Sequence, residues 1–278
     1  MVLRIVQLCL AVLGVALGLG VGPGRAQSGL DLVEMRVLPG WRMANGMHMA
    51  ALEVRLEPGW KTYWRAPGDA GIPPSFDWRR SRNLADVELV WPTPTISLQG
   101  GVRTIGYRDV LILPMRVVPA REGGEVGLSG RIEMGVCKDV CVPIEMRVSQ
   151  RLSGDNRTPD ARIVAALVSR PYSADEAEVG RVACRLSQVG DSLALRAEID
   201  MPGMGGQETA IIEVDDPQIW VAPASTTRQG GRLVAQTRLY HAEGQSFALN
   251  RSGIRITVLG QSRLGQSRAV DIHGCPAG

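Results

Sequence analysis

Short runs in which apolar and polar residues alternate, cut by turns, constrain this chain more than any other feature. Leu52, Val54 and Leu56 alternate with Glu53, Arg55 and Glu57, and the pair Pro58-Gly59 then signals a turn. Val142, Ile144, Met146 and Val148 form one face of a later run, with Glu145 and Arg147 on the other; Leu193, Leu195, Ala197 and Ile199 repeat the pattern against Ala194, Arg196, Glu198 and Asp200. A period of two is the signature of strands with one face on a core. Trp60, Thr62 and Trp64 share a face in the same way, so a strand with one buried side is predicted there. The proline- and glycine-rich stretch 66–74 reads as a long, stiff surface loop.

Two strands are expected in 31–58, and further ones at 75–78, 87–91, 110–118, 125–134 and 142–148. Many short strands with turns between them predict a β-sandwich. The character changes over 153–180. Thr158 can cap a helix, Pro159 fits its first position, and Arg170-Pro171 ends it. Strand patterns resume from Arg181, with candidates at 211–214, 219–221, 233–239, 247–249, 254–259 and 270–272. The expected fold is all-β: a first sandwich over 27–152, a linker with a short helix over 153–180, and a second sandwich over 181–278.

Residues 1–26 read as a cleavable export signal. Arg4 gives the positive start, 5–21 are apolar, and Gly24 and Ala26 place small residues before Gln27. No other run has the length to span a bilayer, so the mature chain is not expected to cross a membrane. Loss of Arg4 and Arg25 takes the formal charge from +3 to +1. A near-neutral surface argues against nucleic acid as a partner.

Export makes cysteine usage informative, because disulfides persist in oxidising compartments. Cys9 leaves with the signal; Cys137, Cys141, Cys184 and Cys275 remain and allow three pairings. Spacing favours Cys137 with Cys141 and Cys184 with Cys275. The second pair would close a long loop and serve as a structural staple. The first would close a tiny loop, which constrains the unfolded chain little. Strain in so small a loop eases reduction, so a redox role is the better account of it. Lys138 would favour a thiolate at Cys137 and Asp139 would oppose it. The pair lies between two predicted strands, at a hairpin tip.

Other chemistries find less support. Met43, Met47, His48 and Met49 are soft ligands that could hold copper(I), but methionine is a common core filler and alternation packs Met47 and Met49 together. There is no Gly-x-Ser-x-Gly motif, and Pro202-Gly203-Met204-Gly205-Gly206 lacks the lysine and hydroxyl of a phosphate loop. No metal or cofactor is expected.

Three motifs in order are more specific. They are Gly59-Trp60-Lys61-Thr62-Tyr63-Trp64-Arg65 with Pro67-Gly68-Asp69, then Tyr107-Arg108-Asp109-Val110-Leu111-Ile112-Leu113-Pro114, then Gly135-Val136-Cys137-Lys138-Asp139-Val140-Cys141-Val142-Pro143. Together they resemble the N-terminal periplasmic domain of DsbD-type protein-disulfide reductases. The ScsB-like branch linked to copper tolerance is nearest, and its short cysteine spacer matches the three residues here. The resemblance implies an immunoglobulin-like sandwich that carries electrons as a dithiol, as one component of a thiol–disulfide oxidoreductase in the periplasm. It implies a transmembrane electron-donor protein on one side and periplasmic thioredoxin-fold proteins on the other. Cys137 and Cys141 would exchange, with Lys138, Asp139 and Tyr107 modulating them. A cap loop at 91–101 would cover the sulfurs through Ile96 or Leu98. By the same likeness Cys141 joins the partner and Cys137 resolves, whereas Lys138 favours Cys137 as the more acidic thiol, so the order stays open. The chain ends at Gly278 without the membrane and thioredoxin-like domains of that family, so a stand-alone module is expected. A copper-handling protein and a structural assembly module are the alternatives.

Overall fold

The computed structural model describes residues 32–261 and 267–278. The expected signal segment, with Cys9, lies outside the described residues. The architecture is all-β, as the alternation predicts, and immunoglobulin-like, as the family resemblance implies. The first half contains β1 (Val33–Arg42), β2 (His48–Leu56), β3 (Lys61–Gly68), β4 (Ser75–Asp77), β5 (Leu84–Leu89), β6 (Thr95–Gln99), β7 (Val102–Arg108), β8 (Val110–Pro119), β9 (Val126–Cys137) and β10 (Cys141–Leu152). They form a sheet of order β1-β2-β8-β5 facing one of order β10-β9-β3-β7-β6, with β4 added to β9. Between them lie Leu52, Val54, Trp64, Ile105, Leu113, Met115, Leu128 and Ile132, all nearly inaccessible to water. Burying each such side chain contributes about 1.5–3 kcal/mol.

Three expectations are corrected in this half. First, β3 runs on to Gly68, into the stretch read as loop, and Lys61 and Tyr63 are buried as well as Thr62 and Trp64. Both faces of β3 are therefore covered. Second, the stretch read as a cap loop contributes strand β6, which forms a hairpin with β7. Third, β9 and β10 continue past their expected ends and pair without a register shift from Cys141↔Cys137 to Leu152↔Val126.

The connecting stretch holds α1 (Ala161–Val168). Its cap is Asp160, whose carboxylate accepts from the Arg162 amide, and not Thr158. The helix sets Ile163 against Leu38, Met49 and Ala51 of the first sheet. Just beyond the helix, β11 (Tyr172–Ser173) instead joins the second half.

That half contains β12 (Val182–Val189), β13 (Ser192–Asp200), β14 (Gln207–Glu213), β15 (Ile219–Val221), β16 (Ser225–Gln229), β17 (Arg232–His241), β18 (Arg255–Gln261) and β19 (Ser267–His273). Its sheets have the orders β11-β19-β18-β14 and β12-β13-β17-β15, with β16 on β17. The run 247–249, expected as a strand, carries no regular structure. Cys184 and Cys275 are bonded inside this second core.

Alternation also explains how the halves meet. Ile256, Val258, Val270 and Ile272 point into the second core. Leu259 and Ala269, on the opposite face of the same strands, join the first core instead. Arg65 of β3 locks this contact. Its Nε donates to Glu213 at 3.1 and 3.2 Å, its Nη2 donates to Thr257 Oγ1 at 3.0 Å, and its guanidinium lies 3.9 Å from the centre of the Trp64 ring. The Arg65 side chain is only 14% exposed and that of Glu213 25%. Breaking a fully buried pair costs about 3–5 kcal/mol, so Arg65→Ala is expected to cost about 2–3 kcal/mol. A urea titration checks this; an unchanged midpoint would show that the ion pair does not hold the halves together.

Candidate functional site: a disulfide at a hairpin tip

The β9–β10 hairpin ends in Lys138-Asp139-Val140, closed by a hydrogen bond of 3.1 Å from the Lys138 amide to the Val140 carbonyl. Immediately behind this turn Cys137 and Cys141 face one another across the ladder and are joined by a disulfide, with their Cα atoms 4.1 Å apart. Directly opposed residues of an antiparallel pair share a face. Lys61 opposes Cys137 on the other side. Cys141, Cys137 and Lys61 therefore lie in a row on the face of the sheet turned away from the core, and alternation adds Tyr63 and Arg65 of β3 to that face.

The two sulfurs differ in access. Cys137 is 1% exposed, whereas Cys141 lies on the surface beside Val140, itself 64% exposed. A group approaching from solution meets Cys141 first.

Tyr63 was not among the residues singled out for the site. Its hydroxyl donates to Cys137 Sγ at 2.9 Å and lies 3.3 Å from Cys141 Sγ. Burial pushes its phenol pKa up. Two glycines make room for the ring. A Cβ at Gly71 would sit 2.6 Å from it, and one at Gly135 would sit 3.2 Å from it and 2.8 Å from Ile72 Cβ. The signal was present in the motif: Tyr63 alternates with the inward Thr62 and Trp64 and so must face outward. What hid it was the assumption that outward means solvent.

The other expected site residues are placed as follows. Lys138 is exposed and folds the end of its side chain over Gly59; Asp139 is exposed at the turn. The buried cation of this face is Lys61, whose Nζ donates to Thr104 Oγ1 at 3.0 Å. Burial, then the Arg108 charge, lowers the Lys61 pKa. Tyr107 points the other way, into the core. It stacks on Trp91 and donates to the Pro92 carbonyl at 2.7 Å, and burial raises its pKa strongly. Ile96 and Leu98 lie on β6, which β7 and β3 separate from the cysteine strands. At about 4.8 Å per strand this is roughly 14 Å. They line a cleft of about 770 Å³ against Gln207, Thr209 and Pro223 of the second half.

The methionine and histidine cluster is divided. Met49 and Met43 pack beneath α1. His48, next to Met49 on β2, faces the other way and bonds the Pro39 carbonyl at 2.6 Å; burial lowers its pKa. Among the described residues no helix is long and apolar enough to cross a membrane.

The fold and this site define an immunoglobulin-like sandwich with an accessible disulfide at a hairpin tip. Residues 34–153 match the family model described as thiol:disulfide interchange protein DsbD, N-terminal. The resemblance carried by the three motifs holds for that stretch, and the match supports a thiol–disulfide interchange role. The chain is also similar to the crystal structure of the N-terminal periplasmic domain of ScsB from Proteus mirabilis. The identity is 20% and the TM-score 0.59, over 88% of this chain and 92% of that one, a likeness of fold. A protein of unknown function from Porphyromonas gingivalis W83 matches at 13% identity over 87% of this chain and 99% of that one, but its TM-score of 0.19 carries no argument. No curated protein matches the chain.

Proposed function

We propose that this protein is an exported, periplasmic thiol–disulfide interchange protein that relays reducing equivalents through Cys137 and Cys141. The observation that carries the reading is the placement of one accessible and one buried sulfur, bonded to each other, at the end of a fully paired hairpin. A membrane-embedded donor reduces the pair, and thioredoxin-fold proteins in the periplasm are reduced by it. Cys141 forms the mixed disulfide and Cys137 resolves it, because only Cys141 is open to a protein-sized partner. Export is supported by the signal pattern at 1–26. We assign the redox unit to 27–152, the linker to 153–180 and a second unit to 181–278, stapled by Cys184–Cys275. Packing between the two units supports a role for the second in holding the outer face of β3 in place.

The reduction potential of the Cys137–Cys141 pair, measured against glutathione buffers, tests this. It is expected to be less negative than about −300 mV, the bound below which structural disulfides in secreted proteins resist reduction. A more negative value would sink the relay.

A further inference from the structure

The chemistry proposed for the pair leaves one difficulty. When Cys141 is attacked, Cys137 must leave as a thiolate at a position only 1% exposed to water. Burial disfavours a charged sulfur. The amide of the next residue offers no relief, since the Lys138 N–H is committed to the Val140 carbonyl. Lys61, on the same face, gives its ammonium to Thr104.

The Tyr63 hydroxyl meets the need. It already points at Cys137 Sγ, at 2.9 Å, and it is 2% exposed, so water does not compete for the hydrogen bond. Its ring is held between Gly71 and Gly135, which fixes the position of the hydroxyl oxygen. We propose that Tyr63 is a catalytic residue of the exchange, holding a hydrogen bond on the Cys137 sulfur as it becomes a thiolate. The proposal rests on the interchange function above.

In the loading step a donor thiolate attacks Cys141 Sγ. The new S–S bond forms there, the Cys137–Cys141 bond breaks, and its electron pair goes to Cys137 Sγ, which Tyr63 stabilises. A second donor thiolate then attacks the donor sulfur bonded to Cys141. This releases Cys141 as a thiolate and leaves the donor oxidised to its disulfide. In delivery the Cys141 thiolate attacks the partner disulfide and expels one partner thiolate. Cys137 thiolate then attacks Cys141 Sγ, re-forms the original bond and expels the second. The partner gains two electrons and the pair loses two; the two protons of the reduced cysteines pass through water to the partner sulfurs. The Tyr63 proton stays on its oxygen throughout, which its raised pKa favours.

The test is Tyr63→Phe, which keeps the ring between the glycines and removes only the hydroxyl. A hydrogen bond to a charged group is worth enough to move an equilibrium about tenfold or more. In a Cys141→Ser background, thiolate absorbance should show Cys137 titrating about one pH unit higher in Tyr63→Phe. With both cysteines present, reduction of the pair by dithiothreitol should slow about tenfold. Equal titrations and equal rates would overturn the role of Tyr63 while leaving the interchange function standing. Failure of the unsubstituted protein to exchange with dithiothreitol or oxidised glutathione would instead overturn the interchange function itself. Should Tyr63→Phe not fold, the unsubstituted protein still decides. The ring Cζ signal of ¹³C-labelled Tyr63 should follow the Cys137 titration in the reduced form; a signal indifferent to it overturns the proposal.

Discussion

Cys141→Ser is expected to end thiol exchange altogether, while Cys137→Ser is expected to stall it half-way. The difference follows from access. Cys141 lies on the surface beside exposed Val140, and Cys137 is buried between Lys61 and Tyr63. Without Cys141, a partner disulfide has no thiolate it can reach. Without Cys137, Cys141 still attacks, but the mixed disulfide loses the intramolecular thiol held next to it. Its release should then slow by about a thousandfold or more, given the effective concentrations that oriented neighbours reach. Non-reducing gels of each variant mixed with a thioredoxin-fold disulfide provide the check. Adducts accumulating on Cys137 in the Cys141→Ser protein would reverse the assignment.

A much larger effect on stability is expected at the other disulfide. Cys184 and Cys275 close a loop with a sequence separation of 91, and Cys137 and Cys141 one of 4. In the chain-entropy description the first bond contributes about 4–5 kcal/mol and the second about 2 kcal/mol. Removing the first by Cys184→Ala with Cys275→Ala therefore consumes a large part of the roughly 5–15 kcal/mol that stabilises an ordinary domain. Urea unfolding of this variant should show the second half melting several kcal/mol earlier. Reduction of Cys137–Cys141 in the parent protein should shift the midpoint far less. Equal shifts would mean that the small loop is a staple, and would weaken its case as a carrier of electrons.

Much of this arrangement is legible in the residues because it depends on local periodicity. Val142, Ile144, Met146 and Val148 alternate, so a strand had to start near Cys141, and its partner had to end near Cys137. The helix cap was missed by two residues because Thr158 and Asp160 are both good caps; only the course of the chain after Asn156, which bonds Gly40 and Arg42, selects between them. Strands β6 and β7 were overlooked because 91–101 carries prolines at its start and glycines at its end, and those turn signals masked a short hairpin. Tyr107 was assigned to the site from its motif, yet it alternates in phase with Ile105 and so faces the core.

By itself, the sequence determined most of the strands, favoured the two cysteine pairings and placed one pair at a hairpin tip. Each depends on spacing along the chain. Tertiary structure alone decided what covers the outer face of β3. Lys61, Tyr63 and Arg65 occupy the alternate positions that normally meet water. Here Lys61 and Tyr63 are buried beside the disulfide, and Arg65 is mostly withdrawn from water against Glu213 and Thr257 of the second half. Period-two patterning separates one face of a strand from the other, but it carries no information about which distant segment will pack on the outer one. Close packing of Gly71 and Gly135 on the Tyr63 ring leaves its hydroxyl in a dry site against Cys137, where a hydrogen bond on sulfur has its full strength.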